Sequence, residues 1–221
     1  MKKVKVLLYV CLVFILSNCS NDSNDSDQEM EETMLPVART AIPDVAFERA
    51  LIELNIDDVE DGSVVTEDIA MVTSLVMNDK GISDLTGLED FPMLENLWVN
   101  DNLLTSLDVS QNPLLKFVFA ENNLLTNLSV TNLTILEKLQ VSNNQITQVN
   151  LSDSSLLQLL GLANNSLTSV DISLIPNGIQ LNTFSIENNP LTCIRVNAEV
   201  LNDIPSQWTK DAEDTYALDC I

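Results

Sequence analysis

From residue 72 onward the chain repeats one pattern of apolar and polar positions. Leu94, Leu115, Leu136 and Leu157 stand 21 residues apart, and Leu181 follows 24 later. Asn102, Asn123, Asn144, Asn165 and Asn189 keep the same spacings. Between each leucine and its asparagine stand two more apolar residues: Leu97/Val99, Val118/Ala120, Leu139/Val141, Leu160/Leu162 and Phe184/Ile186. After the asparagine comes Leu104, Leu125, Ile146, Leu167 or Leu191. The frame L-x-x-L-x-L-x-x-N-x-L therefore occurs five times. A degenerate earlier copy starts at Val72, with Leu75, Met77 and Ile82, and has Lys80 in the asparagine position. Alternation such as Leu97-Trp98-Val99 predicts a short half-buried strand in each copy. One copy cannot bury its apolar side alone, so neighbours must stack and share an elongated core.

The second half of each copy alternates too, in Leu107-Asp108-Val109, Leu128-Ser129-Val130, Val149-Asn150-Leu151 and Val170-Asp171-Ile172. This predicts short extended segments, not helices, on the side opposite the strands. Asn112-Pro113 marks a turn, and the insertion around Pro176-Asn177-Gly178 should bulge outward. The frame resembles the leucine-rich repeat family over Val72 to Val196. The resemblance implies a leucine-rich repeat solenoid, α/β by convention, with a curved parallel β-sheet of about six strands. The repeated asparagines should then form a structural ladder, their amides satisfying backbone groups where each coil leaves its strand.

Stacked repeats need covers at both ends. Pro43-Asp44 opens an expected helix whose Phe47, Ala50, Leu51 and Leu54 share one face, with Glu48, Arg49 and Glu53 on the other. The segment from Ile42 to Gly62, followed by Gly81 to Phe91, resembles the N-terminal cap and first repeat of secreted flavobacterial leucine-rich repeat proteins. Residues 193–221 leave the repeat frame, and Trp208 and Tyr216 are expected to pack over the last coil.

The N-terminus reads as an address. Lys2, Lys3 and Lys5 precede an apolar run from Val6 to Leu16, too short to span a bilayer. With Leu16-Ser17-Asn18-Cys19 behind it, this resembles a bacterial lipoprotein signal, which implies lipidation of Cys19. Residues 20–32 hold one apolar residue, Met30, and six acids. Such a segment cannot offset its chain entropy and is expected to act as a disordered tether. It resembles surface-export signals of Bacteroidota lipoproteins. The expected organisation is a signal at 1–18, lipidated cysteine and tether at 19–40, N-terminal cap at 41–71, repeats at 72–192 and C-terminal cap at 193–221. The expected location is the outer membrane, lipid-anchored and exposed at the cell surface, with a periplasm-facing tether as the alternative. Cys11 leaves with the signal and Cys19 takes the lipid. Cys193 and Cys220 then remain as an even pair in an oxidising compartment.

Composition narrows the chemistry. The chain has 221 residues, 33 acidic against 10 basic, no histidine and five glycines. Histidine triads and histidine metal sites are excluded. A net charge of −23 argues against nucleic acid, and the membrane is reached only through the lipid. No nucleophile has a G-x-S-x-G turn, no glycine-rich phosphate loop occurs, and no carboxylate pair is singled out by position. Neither an enzyme nor a cofactor is expected. The acidic run Asp57, Asp58, Glu60 and Asp61 offers oxygen ligands to Ca²⁺, but it lacks EF-hand spacing and reads better as a solvated turn. No metal site is expected.

The remaining candidate is a surface. Positions flanking the second leucine of each frame face away from the core, including Asn96/Trp98, Phe117/Phe119 and Lys138/Gln140. Trp98 and Phe119 are equivalent positions on adjacent strands. Phe117 shares their face, and Asn96, Asn100 and Glu121 form a polar rim. Three aromatics facing water suggest an interface. The expected function is binding of an extracellular protein or glycan through the concave face. A structural or adhesive display protein without a defined ligand is the alternative, and a carboxylate-based hydrolase a weaker one.

Overall fold

The computed structural model describes residues 36–175 and 181–220, of which Val37 onward forms one compact unit. Cys11, Cys19, the signal, most of the tether and the Pro176-Asn177-Gly178 insertion lie outside the described residues. In chain order the elements are β1 (Arg39–Ala41), α1 (Val45–Glu53), β2 (Ser63–Val65), α2 (Thr66–Ile69), β3 (Ser74–Val76), β4 (Asn96–Trp98), β5 (Ser106–Asp108), β6 (Phe117–Phe119), β7 (Asn127–Ser129), β8 (Lys138–Gln140), β9 (Leu159–Gly161), β10 (Ser169–Asp171), β11 (Thr183–Ser185), β12 (Cys193–Arg195), α3 (Ala198–Asn202), β13 (Trp208–Thr209) and β14 (Tyr216–Ala217). Among the described residues no helix is long and apolar enough to cross a membrane.

The expected solenoid is present. One parallel sheet runs β3-β4-β6-β8-β9-β11-β13. Its central residues Leu75, Leu97, Val118, Leu139, Leu160 and Phe184 align strand to strand, and all are fully buried. The one-in, two-out burial of β3, β4, β6, β8 and β11 follows from pleating. Six of the seven strands come from the repeats. The seventh is β13, where Phe184 pairs with Trp208, so the C-terminal cap extends the sheet by a strand.

The side opposite the sheet carries short strands as expected, but in two pieces, β5-β7 and β10-β12-β14. Val149-Asn150-Leu151 forms no strand. Leu151 is still buried there, at 4% exposure. Alternation fixes which side chain turns inward, whereas ladder pairing also requires aligned N–H and C=O groups on the neighbouring coil.

The asparagine ladder holds one flank together. Asn123 Nδ2 donates to the carbonyls of Val99, Ala120 and Glu121 at 2.9, 3.3 and 3.1 Å, and its Oδ1 accepts Leu104 N–H at 3.0 Å. Asn102, Asn144, Asn165 and Asn189 repeat the scheme. In the degenerate first coil the N–H of Lys80 is also taken by Asn102 Oδ1. The residue before each ladder asparagine is left-handed: Asp101 (φ 58°), Asn122 (55°), Asn143 (59°), Asn164 (56°) and Asn188 (60°), with Asp79 (54°) in the first coil. Asp and Asn tolerate this region best among residues with a side chain, which accounts for their recurrence there.

The N-terminal cap differs from expectation at two residues of α1. Glu48, placed on the solvent side by helical periodicity, is 1% exposed. Its Oε1 accepts the N–H groups of Asp61, Gly62 and Ser63 at 2.8, 2.6 and 3.1 Å. The loop folds back over α1 and covers it at Glu48, while Arg49 and Glu53 stay exposed as expected. Leu54, assigned to the buried face, is the helix C-cap and 37% exposed, because the helix ends at Glu53. Phe47, Ala50 and Leu51 are buried as the pattern required.

Asp44 joins this cap to the first coil. Its Oδ1 caps α1 through the N–H groups of Ala46 and Phe47 at 2.8 and 2.9 Å. Its Oδ2 accepts Ser83 N–H, Ser83 Oγ and Asp84 N–H at 2.9, 2.7 and 3.0 Å. Burial pushes its carboxyl upward, but the Ser83 hydroxyl and the Phe47, Ser83 and Asp84 amides outweigh that and hold it below the usual 3.8. A folded value below the unfolded one means the stabilisation is complete above the usual value and is lost as pH falls through the folded one. Asp44→Ala is expected to cost about 2 kcal/mol near neutral pH, from the lost cap and three further bonds. Urea denaturation at pH 7 and pH 3 checks this, and the gap to wild type should narrow at pH 3.

At the far end Trp208 is 9% exposed, meets Phe184 edge-on at 5.2 Å between ring centroids, and donates from Nε1 to Leu181 O at 2.7 Å. Tyr216 packs beside it at 6.0 Å, and its hydroxyl is pushed up to about 12 by burial and by Asp214. Cys193 and Cys220 are bonded, with Cα atoms 5.7 Å apart. The coil geometry continues past the point where the sequence frame stops, because β12 pairs in register with both β10 and β14.

Candidate functional site

Alternation within β4 and β6 sends Leu97 and Val118 into the core and Asn96, Trp98, Phe117 and Phe119 to the open face of the seven-stranded sheet. Trp98 and Phe119 are direct register partners. Their rings lie parallel, 3° between planes and 5.6 Å between centroids. Neither ring belongs to the core cluster. Both are half-buried, which tempers the expectation of free exposure: each ring shields the other. Phe117 pairs with Lys138 on β8, whose Nζ stands 4.8 Å from the Phe117 ring centre. Val76, partner of Trp98 on β3, is 51% exposed and carries the apolar strip one coil further.

The rim residues have different roles. Asn96 is half-buried beside Phe117. Asn100 is structural in part, since its Oδ1 accepts Glu121 N–H at 2.8 Å while its own N–H is accepted by Asn78 Oδ1 at 2.9 Å. Glu121 projects on the same face as Phe119. Its carboxyl is pushed above the usual range, first by burial and then by the charge of Asp101. Asp101 Oδ1 accepts Asn122 Nδ2 at 2.8 Å. Beyond Phe119 the same row of the sheet continues with Gln140 and Gly161. Gln140 lies over Gly161, where any β-carbon would overlap its amide. Gln140 Oε1 is buried there without a partner.

Charge is distributed in a telling way. Arg39, Arg49, Lys80, Lys116 and Arg195 each pair with a carboxylate of the fold, Asp61, Glu60, Glu53, Glu95 and Asp171 respectively. Lys138 and Lys210 stand over aromatic rings. Neither Asp101 nor Glu121 forms an ion pair with a described residue. In the acidic turn, Glu60 and Asp61 face arginines, and Asp57 Oδ1 takes the N–H of Asp58. Among the described residues no group of three or more potential ligands is placed to hold a metal ion.

The sequence reading placed the three rings and their rim on one face. It gave no role to Lys138, Val76 or Asp101. A signal for Asp101 was present in the unbroken Asp/Asn column one residue before the ladder. For Lys138, the signal was its register position beside Phe117.

Comparison with known proteins agrees at the level of fold. The functional domain of InlJ from Listeria monocytogenes, which includes a cysteine ladder, is similar at 26% identity and a TM-score of 0.64. The match covers 86% of this chain and 46% of that one, so this chain spans less than half of the InlJ domain's length. An internalin (inlF) from Listeria monocytogenes matches at 18% identity and TM-score 0.37, over 80% of this chain and 71% of that one. An internalin C2 from the same species matches at 16% and 0.34, over 79% and 95%. No family model matches the chain, and no curated protein does. The register of the seven-stranded sheet, the asparagine ladder and the InlJ likeness together identify the chain as a leucine-rich repeat solenoid.

Proposed function

We propose that this chain is a surface-displayed binding module that takes an extracellular protein on the open face of its seven-stranded sheet, at Trp98, Phe117 and Phe119. The observation that carries this is the Trp98–Phe119 stack outside the core. The repeat frame requires Leu97, Val99, Val118 and Ala120 inside, and makes no demand for an aromatic at the outward positions between them. Rings kept out of a core have a solubility cost, and in interfaces such rings carry much of the binding energy. The solenoid likeness to the InlJ domain supports a binding role by analogy of fold. The lipoprotein-like signal and acidic tether support an outer-membrane anchor on Cys19 with the solenoid outside the cell, a Bacteroidota-type arrangement.

Arrayed extracellular proteins and glycans, probed with the wild-type protein and with Trp98→Ser/Phe119→Ser, test the reading. The double variant is expected to keep its unfolding midpoint, because the leucine core and asparagine ladder are untouched. It is expected to lose about 2 kcal/mol or more of affinity for a protein bound by the wild type. A variant that unfolds shows the rings to be core. Unchanged affinity puts the site elsewhere. Ligands confined to glycans change the partner class, and no ligand at all favours a display protein.

A further inference from the structure

The open face is uneven in chemistry, and the unevenness selects a kind of partner group. Three features of this face bear on the choice. The first is the parallel ring pair itself. The second is a pair of carboxylates in the turns that follow the same two strands, Asp101 three residues past Trp98 and Glu121 two residues past Phe119. Their coils are joined by Asp101 N–H to Glu121 O at 2.9 Å. Neither carboxylate has an ion-pair partner among the described residues. The third is that the same face already shows an aromatic ring with a cation over it, Lys138 on Phe117, while among the described residues the Trp98–Phe119 pair has none of its own.

We propose that the Trp98–Phe119 pair and the Asp101–Glu121 carboxylates together form a subsite for an arginine side chain presented by the protein partner. This rests on the reading of the open face as a protein-binding surface. A guanidinium is planar, stacks on aromatic rings, and donates a fork of hydrogen bonds to carboxylates. A lysine ammonium meets only the charge requirement and, being more strongly hydrated, leaves water less readily. Burial and the neighbouring Asp101 push the Glu121 carboxyl upward, and an incoming cation would remove that repulsion. Long-range charge acts in the same direction. The chain is at −23, and all seven bases from Arg39 onward are held by its own carboxylates or rings, so a basic segment is steered toward it.

Asp101 has a structural reason to be Asp or Asn, its left-handed backbone at φ 58°. That makes Asp101→Asn a clean probe, because the charge goes and the backbone preference stays. Glu121→Gln is likewise isosteric. The experiment uses the full-length protein in detergent and three fluorescent probes: an acetylated (Gly-Arg)₄ peptide and its lysine and citrulline counterparts. Citrulline keeps the planar shape of arginine and lacks its charge.

Fluorescence anisotropy is expected to rank arginine above lysine, and both above citrulline. Asp101→Asn/Glu121→Gln is expected to weaken the arginine peptide at least fivefold, and Trp98→Ser/Phe119→Ser to do the same. Equal binding of arginine and citrulline peptides overturns the proposal, and so does no binding of any peptide. Arginine binding that survives the carboxylate variant also overturns it, since the peptide is then held by the acidic surface at large. A protein partner lost on Trp98→Ser/Phe119→Ser but retained by Asp101→Asn/Glu121→Gln leaves the binding face standing and removes only the arginine subsite.

Discussion

Asn144→Ala is expected to destabilise the solenoid by about 3–4 kcal/mol, among the largest effects of any single substitution in the repeats. Asn144 is 9% exposed, so water does not replace what is lost. Its Nδ2 donates to Ala120 O, Val141 O and Ser142 O at 2.9, 3.0 and 3.3 Å. Its Oδ1 accepts Leu125 N–H at 2.9 Å. Alanine removes all four contacts and leaves the backbone groups of two successive coils without these partners. The preceding residue is a control within the same dipeptide. Asn143 is an asparagine for its backbone, at φ 59°. Asn143→Ala is expected to cost about 1–2 kcal/mol as left-handed strain, and Asn143→Gly little. Urea denaturation of the three variants checks the order. If Asn144→Ala costs no more than Asn143→Ala, the ladder is not what holds this flank.

Removing the disulfide by Cys193→Ser/Cys220→Ser is expected to cost about 3 kcal/mol, from the freed 27-residue loop in the unfolded chain. The bond joins the start of β12 to the residues after β14, neighbouring strands on the side of the solenoid opposite the open face. Contacts in a solenoid are between nearest neighbours, so the loss should appear first at the C-terminal end. The two tryptophans report on different places. Trp208 is packed on Phe184 in the cap, and Trp98 is five strands away on the open face. On titration with urea, Trp208 emission should change before Trp98 emission in the serine variant, and the two should move together in wild type. Coincident transitions in the serine variant, or no loss of stability, would show that the bond does not support the cap.

Much of this architecture is legible in the residues. A leucine every 21 residues fixes which side chain of each strand turns inward, because apolar area left in water is costly and a pleated strand offers only two faces. The same parity places Trp98, Phe117 and Phe119 together outside, with no structure needed. The ladder asparagines are equally readable, since one polar residue at one repeat position can satisfy the same backbone groups on every coil. These inferences need only local geometry and a period.

Tertiary structure decided what depends on contacts between segments far apart in sequence. Glu48 reads as a surface residue by helical period, yet the chain returns 13 residues later and places three N–H groups on its carboxylate. Trp208 reads as a cap aromatic, yet it is a strand residue that adds a seventh member to the sheet. The 21-residue period already sets Lys138 beside Phe117, yet only the structure shows its Nζ standing over the ring. Asp101 and Glu121 become a pair only because adjacent coils bring them to the same rim. Periodicity tells each residue which way to face, whereas what it meets there depends on which distant backbone arrives. That is settled by the stacking of coils and the fold of the caps, where hydrogen bonds and burial are shared between segments no local pattern connects.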